Sequence, residues 1–76
     1  MNLPTIFADI NNADSEGRLR LNTKQSLEDI QNIIGQPKEG MQVFLTDNDE
    51  IDTIGTLEFS ETENIWVAKI DWDKIF

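Results

Sequence analysis

After Gly40 the chain falls into three runs of alternating character, and no other feature constrains its fold as strongly. "MQVFLT" sets Met41, Val43 and Leu45 on one face. "TIGTLEF" sets Leu57 and Phe59 against Ile54 and Thr56, and "IWVAKIDW" sets Trp66, Ala68, Ile70 and Trp72 against Ile65, Val67, Lys69 and Asp71. A period of two is strand geometry, because successive side chains leave a pleated backbone on opposite sides. The polar stretches "DNDEID" and "SETEN" read as the turns between them. Residues 41–72 are therefore expected to form a three-stranded antiparallel meander.

Upstream, "LPTIFADIN" alternates more loosely, with Ile6, Ala8 and Ile10 opposing Phe7 and Asp9. "RLRLN" alternates cleanly, Leu19 and Leu21 inward, Arg18 and Arg20 outward. The simplest reading is two strands joined by a loop around residues 11–17. The period then changes: Leu27, Ile30 and Ile34 recur at i, i+3 and i+7, with Ile33 beside them, which predicts a helix near 26–34. Ser26 is the expected N-cap, with Asp29 reaching back to its N–H as in a capping box, and Glu28 and Asp29 suit the first turn. Gly35 and Pro37 stop the helix. Two turns of helix are too short to persist without packing on a sheet.

These elements predict one α+β domain over residues 1–76: a bent, mostly antiparallel five-stranded sheet with one short helix. It is expected to curl into a small SH3-like barrel plugged by the helix, or to lie open with the helix on one face. Both faces of the meander carry apolar residues. Val43, Leu57, Phe59, Trp66 and Ile70 form one set, and Phe44, Ile54 and Val67 the other. The second set must be covered by the N-terminal strands or by a partner.

The chemistry available is narrow. The 76 residues include no cysteine and no histidine. That removes thiolate metal sites, the usual catalytic triads, and the side chain best suited to proton transfer at neutral pH. No glycine-rich phosphate loop or nucleophile elbow is present, and 15 carboxylates give chance pairs without singling one out. The chain is expected not to be an enzyme and to carry no cofactor. Its net charge of −9 repels nucleic acid and anionic lipid, since phosphate binding needs lysine and arginine. No apolar stretch approaches the roughly 20 residues that span a bilayer. The opening "MNLPTIFADI" lacks the basic start and apolar run of a signal peptide. A cytoplasmic protein with no membrane or nucleic-acid partner is the expectation.

Several residues invite a functional reading. In "DNDEID", Asp47, Asp49 and Asp52 are oxygen donors, but an EF-hand loop needs Asp or Asn at its fifth position and Gly at its sixth, where this chain has Ile51 and Asp52. Asn12, Asp14, Glu16 and Gly17 fit positions 1, 3, 5 and 6 of that pattern, yet Thr23 stands where its bidentate Glu belongs. Both loops read first as turns, with Asp14, Glu16, Asp47 and Asp49 as an alternative ligand loop. Arg18 and Arg20 share a strand face and are placed to grip an anion, or to pair with carboxylates across the sheet. Trp66, in mid-strand, reads as core. Trp72, between Asp71 and Asp73, is left open.

The segments "NNADSEGRLRLNT", "SLEDI", "EGM" and "GTLEFSETENIWVAKIDWD" resemble a family of short proteins found mainly in cyanobacteria. Its members share an N-A-D-x-x-G-R-[VLI]-R-L-N segment, an E-D-[LI] helix start and a closing W-V-A-x-[IV]-D-W. The resemblance covers most of the chain and implies no activity, cofactor or catalytic residue. It marks Asn12–Asn22 and Trp66–Asp73 as hallmarks. The loop after "MQVFLT" is shorter here than in some members.

The expected function is a small acidic protein–protein interaction module. Its contact would use Phe44, Ile54, Ile65, Val67 and Trp72, or the edge bearing Arg18 and Arg20. A ligand- or cation-binding regulator is the alternative. A third reading is nucleic-acid mimicry by the C-terminal half, where residues 41–76 carry nine acids and two bases.

Overall fold

The computed structural model describes residues 3–33, 35–47 and 52–74. Five strands form one curled sheet: β1 (Thr5–Phe7), β2 (Leu19–Arg20), β3 (Gln42–Thr46), β4 (Asp52–Ser60) and β5 (Ile65–Lys69). One helix, α1 (Lys24–Gln31), precedes β3, and a 3-10 turn, Trp72–Lys74, follows β5. The strand order is β1-β3-β4-β5-β2. The expected meander is present as β3-β4-β5, antiparallel throughout, with Val43 opposite Gly55 and Leu57 opposite Ala68.

The sheet is mixed, so the mostly antiparallel expectation holds only in part. β1 runs parallel to β3, Ile6 beside Leu45, because β2 and α1 form the crossover that a parallel pair requires. β1 and β2 do not pair with each other, and they lie at opposite ends of the strand order. Residues 12–14 instead fold back onto β2. Ala13 bridges Leu19, Asp14 N–H donates to Arg18 C=O and Arg20 N–H to Asn12 C=O, each at 2.8 Å. One passage of chain thus leaves β1 at one edge and reaches β2 at the other, and the sheet curls into a half-barrel.

The concave face holds the core. Ile6, Leu19, Leu21, Val43, Leu45, Leu57 and Ala68 have no exposed surface, and Ile30, Ile33 and Ile70 pack with them. Trp66 lies against this cluster, partly buried, and meets Phe59 edge-on at 5.3 Å between ring centroids. Gly55, in mid-β4, is closely packed on the core face. A Cβ there would stand 2.6 Å from Leu45 Cδ1 and 3.2 Å from both Ile70 Cγ2 and the Lys69 carbonyl oxygen, so a larger residue would force Leu45 and its neighbours to shift.

The helix begins earlier than its sequence suggests. Thr23 is the N-cap, its hydroxyl accepting from Ser26 N–H at 3.0 Å, and Glu28 and Asp29 fall in the second turn. Ser26 is buried. Its hydroxyl donates to Phe7 C=O at 2.6 Å, and the Asp29 carboxylate accepts from Phe7 N–H at 2.8 Å. Asp29 therefore closes no capping box. The two side chains satisfy the backbone of β1 on its open edge, a common device against stray strand pairing. This requirement turns Ser26, Ile30 and Ile33 toward the sheet and leaves Leu27 half exposed. Ile34 lies outside the described residues. The helix also ends earlier than expected, at Gln31 with Asn32 as its C-cap, so Gly35, at φ +84°, lies in the turn beyond it and is not the residue that stops it.

Candidate functional site

The convex face of the sheet carries Phe44, Ile54, Thr56, Glu58, Ile65, Val67 and Lys69, with Arg20 joining from β2 by register. It divides into two unlike ends.

At the β2 end, charge covers the apolar surface. Asp14 organises the turn before β2: one carboxylate oxygen accepts from Glu16 N–H and Arg18 N–H, each at 2.9 Å, and the other from Arg18 Nε at 3.0 Å. The same guanidinium reaches Glu58 at 3.0 Å and Glu16 at 3.1 Å. Arg20 forks onto both oxygens of Glu63 at 2.7 and 2.9 Å and donates to Ala13 C=O. Val67 lies between Glu58 on one side and Arg20 on the other, and it is fully buried although it faces away from the core. The long stems of these paired side chains shield its methyls while their charged heads stay at the surface.

The electrostatics follow this geometry. Burial pushes the Asp14 carboxyl up, but the backbone N–H groups of Arg18 and Glu16 and the Arg18 guanidinium outweigh it, leaving its pKa below the usual value. The hydrogen bond from Arg20 lowers that of Glu63 against a smaller opposing effect of burial. Both arginines are held more firmly protonated, Arg18 chiefly by Glu58 and Arg20 chiefly by Glu63. With every oxygen of Asp14 engaged, the Asp14–Glu16 loop is a turn tied to β2. Among the described residues no three carboxylates gather as a metal site. Asp47 is described and Asp52 belongs to β4, whereas Asp49 lies outside the described residues.

At the other end, the face opens. Ile54, opposite Phe44 on β3, is 52% exposed. β5 ends at Lys69, and the alternation that would carry Trp72 to the core face ends with it. Asp71 accepts from Asp73 N–H at 3.0 Å, an Asx turn that redirects the chain. Trp72 is left 47% exposed, with its indole N–H donating to Gly17 C=O at 2.8 Å. Gly17 has φ +79°, and a Cβ on it would come within 3.3 Å of the indole nitrogen. Trp72, Ile54, Thr56, Glu58, Lys69, Ile70 and Asp71 line an open groove of about 650 Å³.

The residues named from sequence therefore separate. Ile54 and Trp72 line this groove, Phe44 lies half buried beside Ile54, and Ile65 is half buried opposite Ser60. Val67, Arg18 and Arg20 belong to the covered end. Thr56, Glu58, Lys69 and Asp71 complete the groove and were not singled out as site residues. The "DWD" sequence was the available signal for its far wall, since an aspartate carboxylate readily accepts from the backbone N–H two residues on and so favours a turn.

No protein-family model matches this chain significantly, and neither does any curated protein or solved structure. No described helix is long and apolar enough to cross a membrane.

Proposed function

We propose that this chain is a small, non-enzymatic, cytoplasmic protein-binding domain that works through the open end of its convex sheet face. One observation carries the reading: Ile54 and Trp72, both about half exposed, line a single groove, while the apolar residue at the other end of the same face is sealed by ion pairs. Convergent exposed hydrophobics on an otherwise charged surface are the usual mark of a contact site. A patch this small fits a transient contact, well below the ~800 Å² per partner of a stable interface. We read the half-barrel as SH3-like and the chain as one of the short cyanobacterial proteins it resembles; neither assignment adds a role.

Affinity capture with three baits tests the proposal: wild type, Ile54→Asp and Leu27→Asp. Leu27 is 48% exposed on α1, so its variant controls for loss of exposed apolar surface as such. A partner held by wild type and Leu27→Asp and released by Ile54→Asp is the expected result. Equal retention by all three folded baits would remove the groove from the function.

A further inference from the structure

Resting on that reading, we infer that the groove takes a basic segment of a protein partner, with a lysine or arginine side chain laid on the Trp72 ring and an aliphatic neighbour against Ile54.

The ring is built to receive something. A surface tryptophan ordinarily turns its N–H to water and samples several rotamers. Here the N–H is committed to the Gly17 carbonyl at 2.8 Å, and the absence of a side chain on Gly17 is what lets the indole come so close. The ring is held in one orientation with about half its surface open. The face of an indole carries partial negative charge and attracts ammonium and guanidinium groups.

Charge selects the occupant. The chain carries −9 overall, and both arginines are engaged by carboxylates, Arg18 by Asp14 and Glu58 and Arg20 by Glu63. Asp71 and Asp73 flank Trp72 in sequence, and Glu58 lines the groove while sharing its charge with Arg18. Lys69 opposes them from the groove wall. The net negative charge of the molecule favours the approach of cations and opposes acidic partners and nucleic acid. A second copy of the chain is a poor occupant, because it brings the same negative charge and a patch centred on two side chains.

The test is an NMR titration of the intact chain with a short unstructured peptide of arginine and leucine, beside a matched peptide of glutamate and leucine. The Trp72 indole N–H and the Ile54 methyls report on the groove. Saturable shifts centred there are expected with the basic peptide alone, weakening as salt rises. Trp72→Leu, which keeps apolar bulk and removes the ring, should weaken binding about 3- to 30-fold. Lys69→Gln should tighten it about 2- to 5-fold, the size expected for one exposed charge. A folded Trp72→Leu variant that binds as wild type, preference for the acidic peptide, or weakening by Lys69→Gln would each overturn the inference. So would a concentration-dependent dimer whose contact maps to the groove. If neither peptide moves the groove signals, the basic-segment inference falls. The Ile54→Asp capture then decides separately whether the protein-binding reading stands.

Discussion

Val67 and Ile54 are both branched aliphatic residues on the convex face of one sheet, yet Val67 is fully buried and Ile54 is 52% exposed. Strand pattern does not separate them, since each alternates with core residues. Their neighbours do. Val67 has Arg20 and Glu58 beside it in register, each held by an ion pair to a residue distant in sequence, Glu63 and Arg18 respectively. Ile54 has Phe44 on one side and a change of chain direction after Lys69 on the other. In a chain with few large apolar residues, paired charges do the covering that a second core would do elsewhere. Where the pairs end, apolar surface meets water.

The most direct way to break this contrast is to place the same charge at both positions. Val67→Asp buries a carboxylate beside Glu58 and should lower stability by about 3 kcal/mol or more. Ile54→Asp should change it by no more than about 0.5–1 kcal/mol. Urea unfolding of the two variants measures the difference, and equal losses would show that the two ends are not distinct. Gly55→Ala sharpens the comparison from beneath. Its Cβ would press on Leu45 and the Lys69 carbonyl, so a loss of about 1–3 kcal/mol is expected from overpacking. A neutral result in the same denaturation assay would mean that the core does not depend on this close packing.

The smallest effect concerns acid, and it should fall on the covered end alone. The folded-state pKa values of Asp14 and Glu63 lie below their ordinary ones. The unfolded chain therefore binds protons first, and the stabilisation these groups give is complete above about pH 4–5 and fades as pH falls further. Asp14→Asn keeps an acceptor for the turn and removes the charge. Its urea midpoint should fall less steeply than that of wild type from about pH 5 to about pH 2.5. Parallel curves would show that Asp14 contributes no net charge coupling.

Much of the inner face could be read from alternation: Val43, Leu45, Leu57 and Ala68 are buried as their spacing requires. Alternation fixes which side a residue faces, but it is silent on which strand lies beside it or in which direction. The parallel pairing of β1 with β3 could not be read from residues 5–10 for that reason. At the helix start, Thr23 and Ser26 are equally good caps by composition. The choice fell to Thr23 because Ser26 was needed at the β1 carbonyl, a contact 19 residues away in sequence. Trp72 escaped the strand pattern through the turn at Asp71–Asp73, and its partner Gly17 lies at a sequence separation of 55 residues. Local signals predicted local structure; the groove is made by contacts between distant segments, and these were not legible.

The pairing of β2 with β5, Leu19 opposite Ala68, sets an order of events during folding. β2 must find a partner far along the chain, which closes a long loop before any contact rewards it. The contacts available earlier are the helix turns of α1 and then the β3–β4 hairpin, both local and fast to close. Until β5 arrives, Leu19 and Leu21 have no finished core to enter, and Arg18 and Arg20 lack Glu58 and Glu63. The half-barrel therefore closes in a late step, when β5 docks on β2 and the two arginines meet Glu58 and Glu63.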